Sequence, residues 1–356
     1  MRTGDDPQQY PMSRPPSRCP TGGRAGRAAV RLIGAIAATG ALQIALLWSV
    51  GSPQVLAAAP ATAPAPPLSI DLDAFDAQKR TFALSNGIVL AYIDMGDPAG
   101  PPVVLIHGYT DSARDWVPML PFLSKHDRLI LVDIRGHGQS SKPECCYTRF
   151  DFAYDIKLLL DGLGIETADV VGHSLGSIIA QTFAEFWPQR TRRVVLISST
   201  GGHRPSANRP RPQWAFAASI RSLKEPIEAD SPFMIAWWSS PTPVDPEFIR
   251  REREDAAAIP LRVWLAVLDQ GLTGDSDYAD LQGTLPRLKA PTLLIWGSKD
   301  PIMVAGLRQT LRDALPNAKL KIFDGLGHNP IWEQPERVAA TVQEFLDEKL
   351  AAKSRP

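Results

Sequence analysis

Short apolar runs at residues 103–106, 129–132, 170–171, 194–197, 293–296 and 320–322 recur along the chain, alternating with segments of helical spacing. Strands without polar alternation are buried on both faces, so helices must cover both sides of a mainly parallel sheet. This rhythm predicts an α/β fold. The helical segments fall at 116–123, 152–163, 175–186, 304–315 and 335–350, and Pro335 suits a helix start because its missing donor costs nothing there. A hairpin precedes them: 81–84 and 88–92 flank Ser85-Asn86-Gly87, with the Asn-Gly pair that tight turns favour. Between 200 and 292 the rhythm stops for about ninety residues, too long for a plain connection, which predicts an inserted helical cap at about 201–288.

The N-terminal segment differs in kind. Arg14, Arg18, Arg24, Arg27 and Arg31 precede an uncharged apolar run at 32–50, followed by Ala57, Ala58 and Ala59. A basic start, an apolar middle and a small-residue exit predict a signal peptide over 1–59, and hence an exported protein, periplasmic or secreted. The run is close to bilayer-spanning length, so an uncleaved anchor at 32–50 is the alternative, and membrane contact is expected only if that segment is retained. Residues 60–69 read as an extended Pro/Ala linker, and the folded domain spans 70–350. The balance of 38 basic and 38 acidic residues gives no sign of a nucleic-acid partner. Cys145 and Cys146 are adjacent, which excludes a disulfide framework; two idle thiols are expected in preference to a neighbour-pair bond.

Within the alternation stands Gly172-His173-Ser174-Leu175-Gly176, after a short β-prone run and before a helical one. A strand turning straight into a helix passes through a cramped backbone, flanking glycines relieve the crowding, and Ser174 stands at the tip. A serine hydroxyl needs a base within hydrogen-bond reach and a group to orient that base. Of six histidines, His328 is best placed, in Gly325-Leu326-Gly327-His328-Asn329-Pro330 after the strand ending near Phe323. Asp300 follows the 293–296 strand and completes the order Ser174, Asp300, His328 expected for this kind of turn. Its plainer reading is a cap for the next helix. Backbone amides of Leu175, beside the serine, and of Tyr109, in the loop His107-Gly108-Tyr109-Thr110, would stabilise a developing oxyanion. His107 is expected to hydrogen-bond across loops. Asp133 and His137, in Asp133-Ile134-Arg135-Gly136-His137-Gly138-Gln139-Ser140, lack further ligands at helpful spacing, so a stiffening turn is expected there and no metal.

With these residues assembled, the chain resembles the cap-bearing α/β-hydrolases over about 75–350, through the H-G, D-x-R-G-x-G-x-S, G-H-S-x-G and G-x-x-D sets in order. The resemblance implies a mostly parallel eight-stranded sheet with helices on both faces and an inserted helical cap. It also implies Ser174 as nucleophile, Asp300 as acid, His328 as base, Tyr109 and Leu175 as oxyanion donors, and no cofactor. Haloalkane dehalogenases and epoxide hydrolases of this group use an aspartate nucleophile, and Ser174 speaks against both. Ser177 stands where many relatives carry a second glycine.

The cap carries Trp214, Phe216, Phe233, Met234, Trp237, Trp238 and Trp264, about half of which a small cap needs for its own core. Trp214, Trp237 and Trp238, with Trp116 near the oxyanion loop, are the candidate pocket walls. Glu252, Glu254 and Asp255, interleaved with Arg251 and Arg253, read as a solvated mixed-charge face, or as a site for a free amino terminus. The expected activity is serine hydrolysis of a small or medium apolar carboxylic ester or lactone. Carbon–carbon bond hydrolysis, cofactor-free perhydrolysis and an inactive binding protein are the alternatives, and the fold does not choose among them.

Overall fold

The computed structural model describes residues 68–199, 215–272, 285–303 and 305–348. The expected leader at 1–59, the linker to residue 67, and Trp214 lie outside the described residues. Among the described residues no helix is long and apolar enough to cross a membrane.

The chain opens with α1 (Leu72–Asp76), then the hairpin β1 (Arg80–Ala83) and β2 (Val89–Gly96). The hairpin closes as its sequence requires, with Gly87 at φ 87°. β3 (Pro102–Ile106), β4 (Arg128–Asp133), β5 (Ala168–His173), β6 (Thr191–Ile197), β7 (Thr292–Gly297) and β8 (Lys319–Phe323) complete an open eight-stranded sheet of order β1-β2-β4-β3-β5-β6-β7-β8. The β1–β2 and β2–β4 pairs are antiparallel, and every pair from β4 to β8 is parallel. Every residue of β5 is buried, as an unbroken apolar run in mid-sheet should be. β8 differs: Lys319 and Lys321 are exposed and Ile322 is 47% exposed, because it is the edge strand.

Two helices flank β5: α2 (Arg149–Gly162), started by a capping box in which Thr148 and Asp151 satisfy each other's amides, and α3 (Leu175–Phe186). The helix expected at 116–123 is instead two 3₁₀ turns, Ala113–Trp116 and Leu120–Phe122. Pro118 and Pro121 remove the amide donors that a continuous α-helix would use there. Cys145 and Cys146 are bonded to each other rather than free; the chain turns at Cys146, φ 75°, which brings the neighbouring sulfurs together.

Between β6 and β7 lie α4 (Ala215–Arg221), α5 (Pro232–Trp237), α6 (Pro246–Ala257) and α7 (Leu261–Ala266). Asp245 starts α6 by accepting from the Glu247 and Phe248 amides, both at 2.9 Å. This helix is not the solvated mixed-charge face expected of it. Glu252 is fully buried and Asp255 lies 2.9 Å from Arg114 of the main domain, while Glu254 pairs with Arg250 outside. The reason is helical spacing: Phe248, Glu252, Asp255 and Ala256 share the inward stripe and meet Arg114. Further ties hold these helices over the sheet. Tyr109 Oη donates to the Trp264 carbonyl at 2.6 Å, Trp237 Nε1 to Thr110 Oγ1 at 3.0 Å, and Arg149 Nε to the Gly271 carbonyl at 2.7 Å.

Candidate active site

Ser174 stands between β5 and α3 at φ 51°, ψ −116°, a left-handed conformation that costs a non-glycine residue of order 1–3 kcal/mol. Its surroundings enforce it. A Cβ on Gly172 would lie 2.1 Å from the Gly176 carbonyl oxygen, and one on Gly176 would lie 2.0 Å from that of Ile106. Ser174 N–H continues the β5–β6 ladder by donating to the Ile197 carbonyl at 2.9 Å, so the hydroxyl sits on a rigid tip. Ser177, fully buried, donates its hydroxyl to the Ser174 carbonyl at 2.5 Å.

The loops after β7 and β8 bring two groups to that hydroxyl. His328 Nε2 is 3.0 Å from Ser174 Oγ, and His328 Nδ1 is 2.9 Å from Asp300 Oδ2. The other oxygen of Asp300 accepts from the Ile302 and Met303 amides at 2.8 and 2.9 Å, so the carboxylate both orients the ring and caps the following turn. Burial works against its charge, yet the adjoining His328 ring and those two amides hold Asp300 below the ordinary carboxylate value. This is the geometry in which a histidine takes a proton from a serine while a buried acid fixes its tautomer.

The loop after β3 passes directly beside Ser174. A Cβ on Gly108 would lie 3.3 Å from Ser174 Cβ and 2.3 Å from Asp111 Oδ2, so only glycine brings the Tyr109 backbone this close. The Leu175 amide belongs to the first turn of α3, whose amides lack intrahelical partners. His107 ties loops together: its Nδ1 meets the Gly108 carbonyl at 2.8 Å and its Nε2 accepts the Ile134 amide at 3.0 Å. Asp133 is taken up by the Ala113 and Gln139 amides and by Lys79, in a turn that stiffens the rim.

Above Ser174 opens a cavity of about 750 Å³. Ile178, Phe216, Trp237, Trp238, Leu272 and Met303 give it apolar walls; Asp111, Ser198 and Lys299 are polar points on them. Trp237 and Trp238 therefore stand where pocket walls were expected, and Tyr109 joins them. Trp116 does not: it is fully buried in the main core and is not among the residues lining the cavity. Its place on the 3₁₀ turn that follows the β3 loop points it inward. Glu252, Glu254 and Asp255 do not reach the cavity either.

Sequence reasoning missed Trp332, Asp115 and Ser198. Trp332 lines the cavity, stacks on Trp238 with centroids 5.4 Å apart, and donates to Asp115 Oδ1 at 2.7 Å. Asp111, Asp115 and His173 are near enough to share a cation, but Asp115 is already bonded to Trp332 and His173. His173 stands in the Gly-His-Ser string, but no local pattern marks Trp332, Asp115 or Ser198.

Comparison with known proteins agrees with this architecture. A family model described as the alpha/beta hydrolase fold matches residues 101–335, and the chain belongs to that family. A 2-hydroxy-6-oxononadienedioate/2-hydroxy-6-oxononatrienedioate hydrolase of Paraburkholderia phymatum is 31% identical over 251 residues, 68% of this chain and 86% of the relative. The solved structure of a hydrolase from Pseudomonas aeruginosa superposes with a TM-score of 0.62 at 26% identity, covering 76% of this chain and 98% of the other. An enol-lactonase from Burkholderia xenovorans shares the fold, with a TM-score of 0.63 at 24% identity over 76% of this chain and all of the other. The protein is an α/β hydrolase.

Proposed function

We propose that the protein is an exported serine hydrolase that cleaves small or medium apolar carboxylic esters or lactones through an acyl-enzyme. The observation that carries this reading is the 3.0 Å contact between Ser174 Oγ and His328 Nε2 at the floor of an apolar cavity. His328 takes the hydroxyl proton as Ser174 attacks the carbonyl carbon. The oxygen of that carbonyl gathers negative charge beside the Tyr109 and Leu175 amides. His328 then gives the proton to the leaving alcohol, and activates water to release the acid. No cofactor enters these steps. Export rests on the basic and apolar character of residues 1–59.

Ser174→Ala should abolish turnover of p-nitrophenyl esters and labelling by a fluorophosphonate, with an unchanged circular dichroism spectrum; retained turnover in the pure variant would remove Ser174 from the mechanism. A second reading, carbon–carbon bond hydrolysis, draws support from the 31% identical relative and from the polar points on the cavity wall. A panel of esters, lactones and vinylogous diketone acids separates the two.

A further inference from the structure

We propose that His173, immediately before the nucleophile, is a doubly protonated imidazolium acting as a positioning residue, its two N–H groups bridging the Asp115 carboxylate and the main-chain carbonyl of the base His328. Its Nδ1 lies 3.0 Å from Asp115 Oδ2, and its Nε2 lies 3.1 Å from the His328 carbonyl oxygen. Both partners accept. A carbonyl carries no proton, and Asp115 already faces donors at each oxygen: Trp332 Nε1 at Oδ1, 2.7 Å, and the Gly108 amide at Oδ2, 3.4 Å. A neutral imidazole has one donor and one acceptor, so either tautomer would set a ring lone pair against an oxygen lone pair.

The other histidines of the site differ. His107 accepts at one nitrogen and faces a carbonyl at the other, which suits a neutral ring. His328 meets a carboxylate and a hydroxyl, and the hydroxyl can donate. Burial opposes charge on His173, but Asp115, by its charge and its hydrogen bond, and the His328 carbonyl outweigh it and raise the ring above the ordinary histidine value. Asp111 Oδ2 at 3.9 Å and the more distant Asp300 are the other acids facing it, and the His328 ring lies 5.6 Å away between centroids.

What the cation positions is the base. The His328 carbonyl accepts from His173 Nε2 and also from Ser198 Oγ at 2.7 Å, the latter a non-glycine residue held at φ 52° at the end of β6. Two strand ends thus hold the main chain at the base itself, beside the Gly325 and Gly327 amides that Ser298 Oγ and Glu333 Oε2 hold at 2.9 and 2.7 Å, and displacement of a catalytic group by about 1 Å costs about 100-fold in rate. The protonation state stands on contacts alone; only the kinetic consequence rests on the serine-hydrolase reading.

The test is nitrogen-15 NMR of the full chain labelled at histidine, at about pH 8, where an ordinary imidazole is neutral. One buried ring should show both nitrogens protonated, its signals absent from His173→Gln. If no ring is doubly protonated, the proposal falls whatever Ser174 does. In Asp115→Asn burial is left unopposed by that carboxylate, so the ring should be neutral at about pH 8 and fluorophosphonate labelling of Ser174 should there run about tenfold slower than in wild type, the deficit narrowing as pH falls and the ring takes up its proton. An unchanged pH profile in that variant would overturn the positioning role. Absence of labelling in wild type would overturn the serine-hydrolase reading and leave the spectrum to decide the imidazolium.

Discussion

At the scale of single residues, the site depends on polar groups whose second partners hold them still. Asp300 uses one oxygen for His328 and the other for two backbone amides. In Asp300→Asn the amide oxygen can keep those backbone bonds while the ring loses its charged partner. We expect kcat for ester hydrolysis to fall about 10⁴-fold with folding preserved, read by steady-state kinetics and thermal melting. The meeting of Ser174, His328 and Asp300 was legible because a strand-to-helix turn, a glycine-flanked histidine and a strand-end aspartate each leave a local mark. His173 and Asp115 were not, since their meaning lies in contacts between residues 58 apart that no spacing rule links. Trp116 shows the converse: its neighbourhood in sequence suggested a pocket wall, and its side chain points into the core.

At the scale of elements, the turn from β5 into α3 leaves no room for a Cβ at either flanking glycine. Gly176→Ala would drive a Cβ into the Ile106 carbonyl oxygen at 2.0 Å, and backbone on both sides leaves no flexible group to yield. The expected loss is about 2–3 kcal/mol in denaturant unfolding, with ester turnover reduced as well. The short helix α5 places Trp237 between the cavity and the loop after β3, bonded to Thr110 Oγ1. Trp237→Ala should raise KM for apolar p-nitrophenyl esters about tenfold and favour bulkier acyl groups, while fluorophosphonate labelling persists. Periodicity located the strands because each buried run leaves an unbroken apolar signature. It misread 116–123, where apolar spacing looked helical and two prolines denied the backbone its bonds.

At the scale of the whole molecule, burial of neutral imidazoles sets an acid limit on stability. Burial lowers His107 to about 3 and His137 to about 4, against about 6.5 in an unfolded chain. Groups with a depressed folded value give stability that is complete above about pH 6.5 and drains away as pH falls toward 4. Each ring takes up one proton on unfolding in that window, so the two together should cost about 2.7 kcal/mol per pH unit. Urea unfolding of wild type and of His137→Gln at a series of pH values isolates one ring's share, about 1.4 kcal/mol per pH unit, from that of the other buried groups, and equal slopes in the two proteins between pH 6.5 and 4 would show that the ring is charged in the fold. By itself, the sequence determined the α/β class, the eight strands, the long segment between β6 and β7, and which serine, aspartate and histidine come together, because burial on both faces and a strained turn each write a local pattern. Only the tertiary structure decided which cap aromatics face the cavity, that Glu252 turns inward to Arg114, and that His173 sits between two acceptors. Those outcomes depend on which elements meet across the fold, and packing between distant segments has no period along the chain to read.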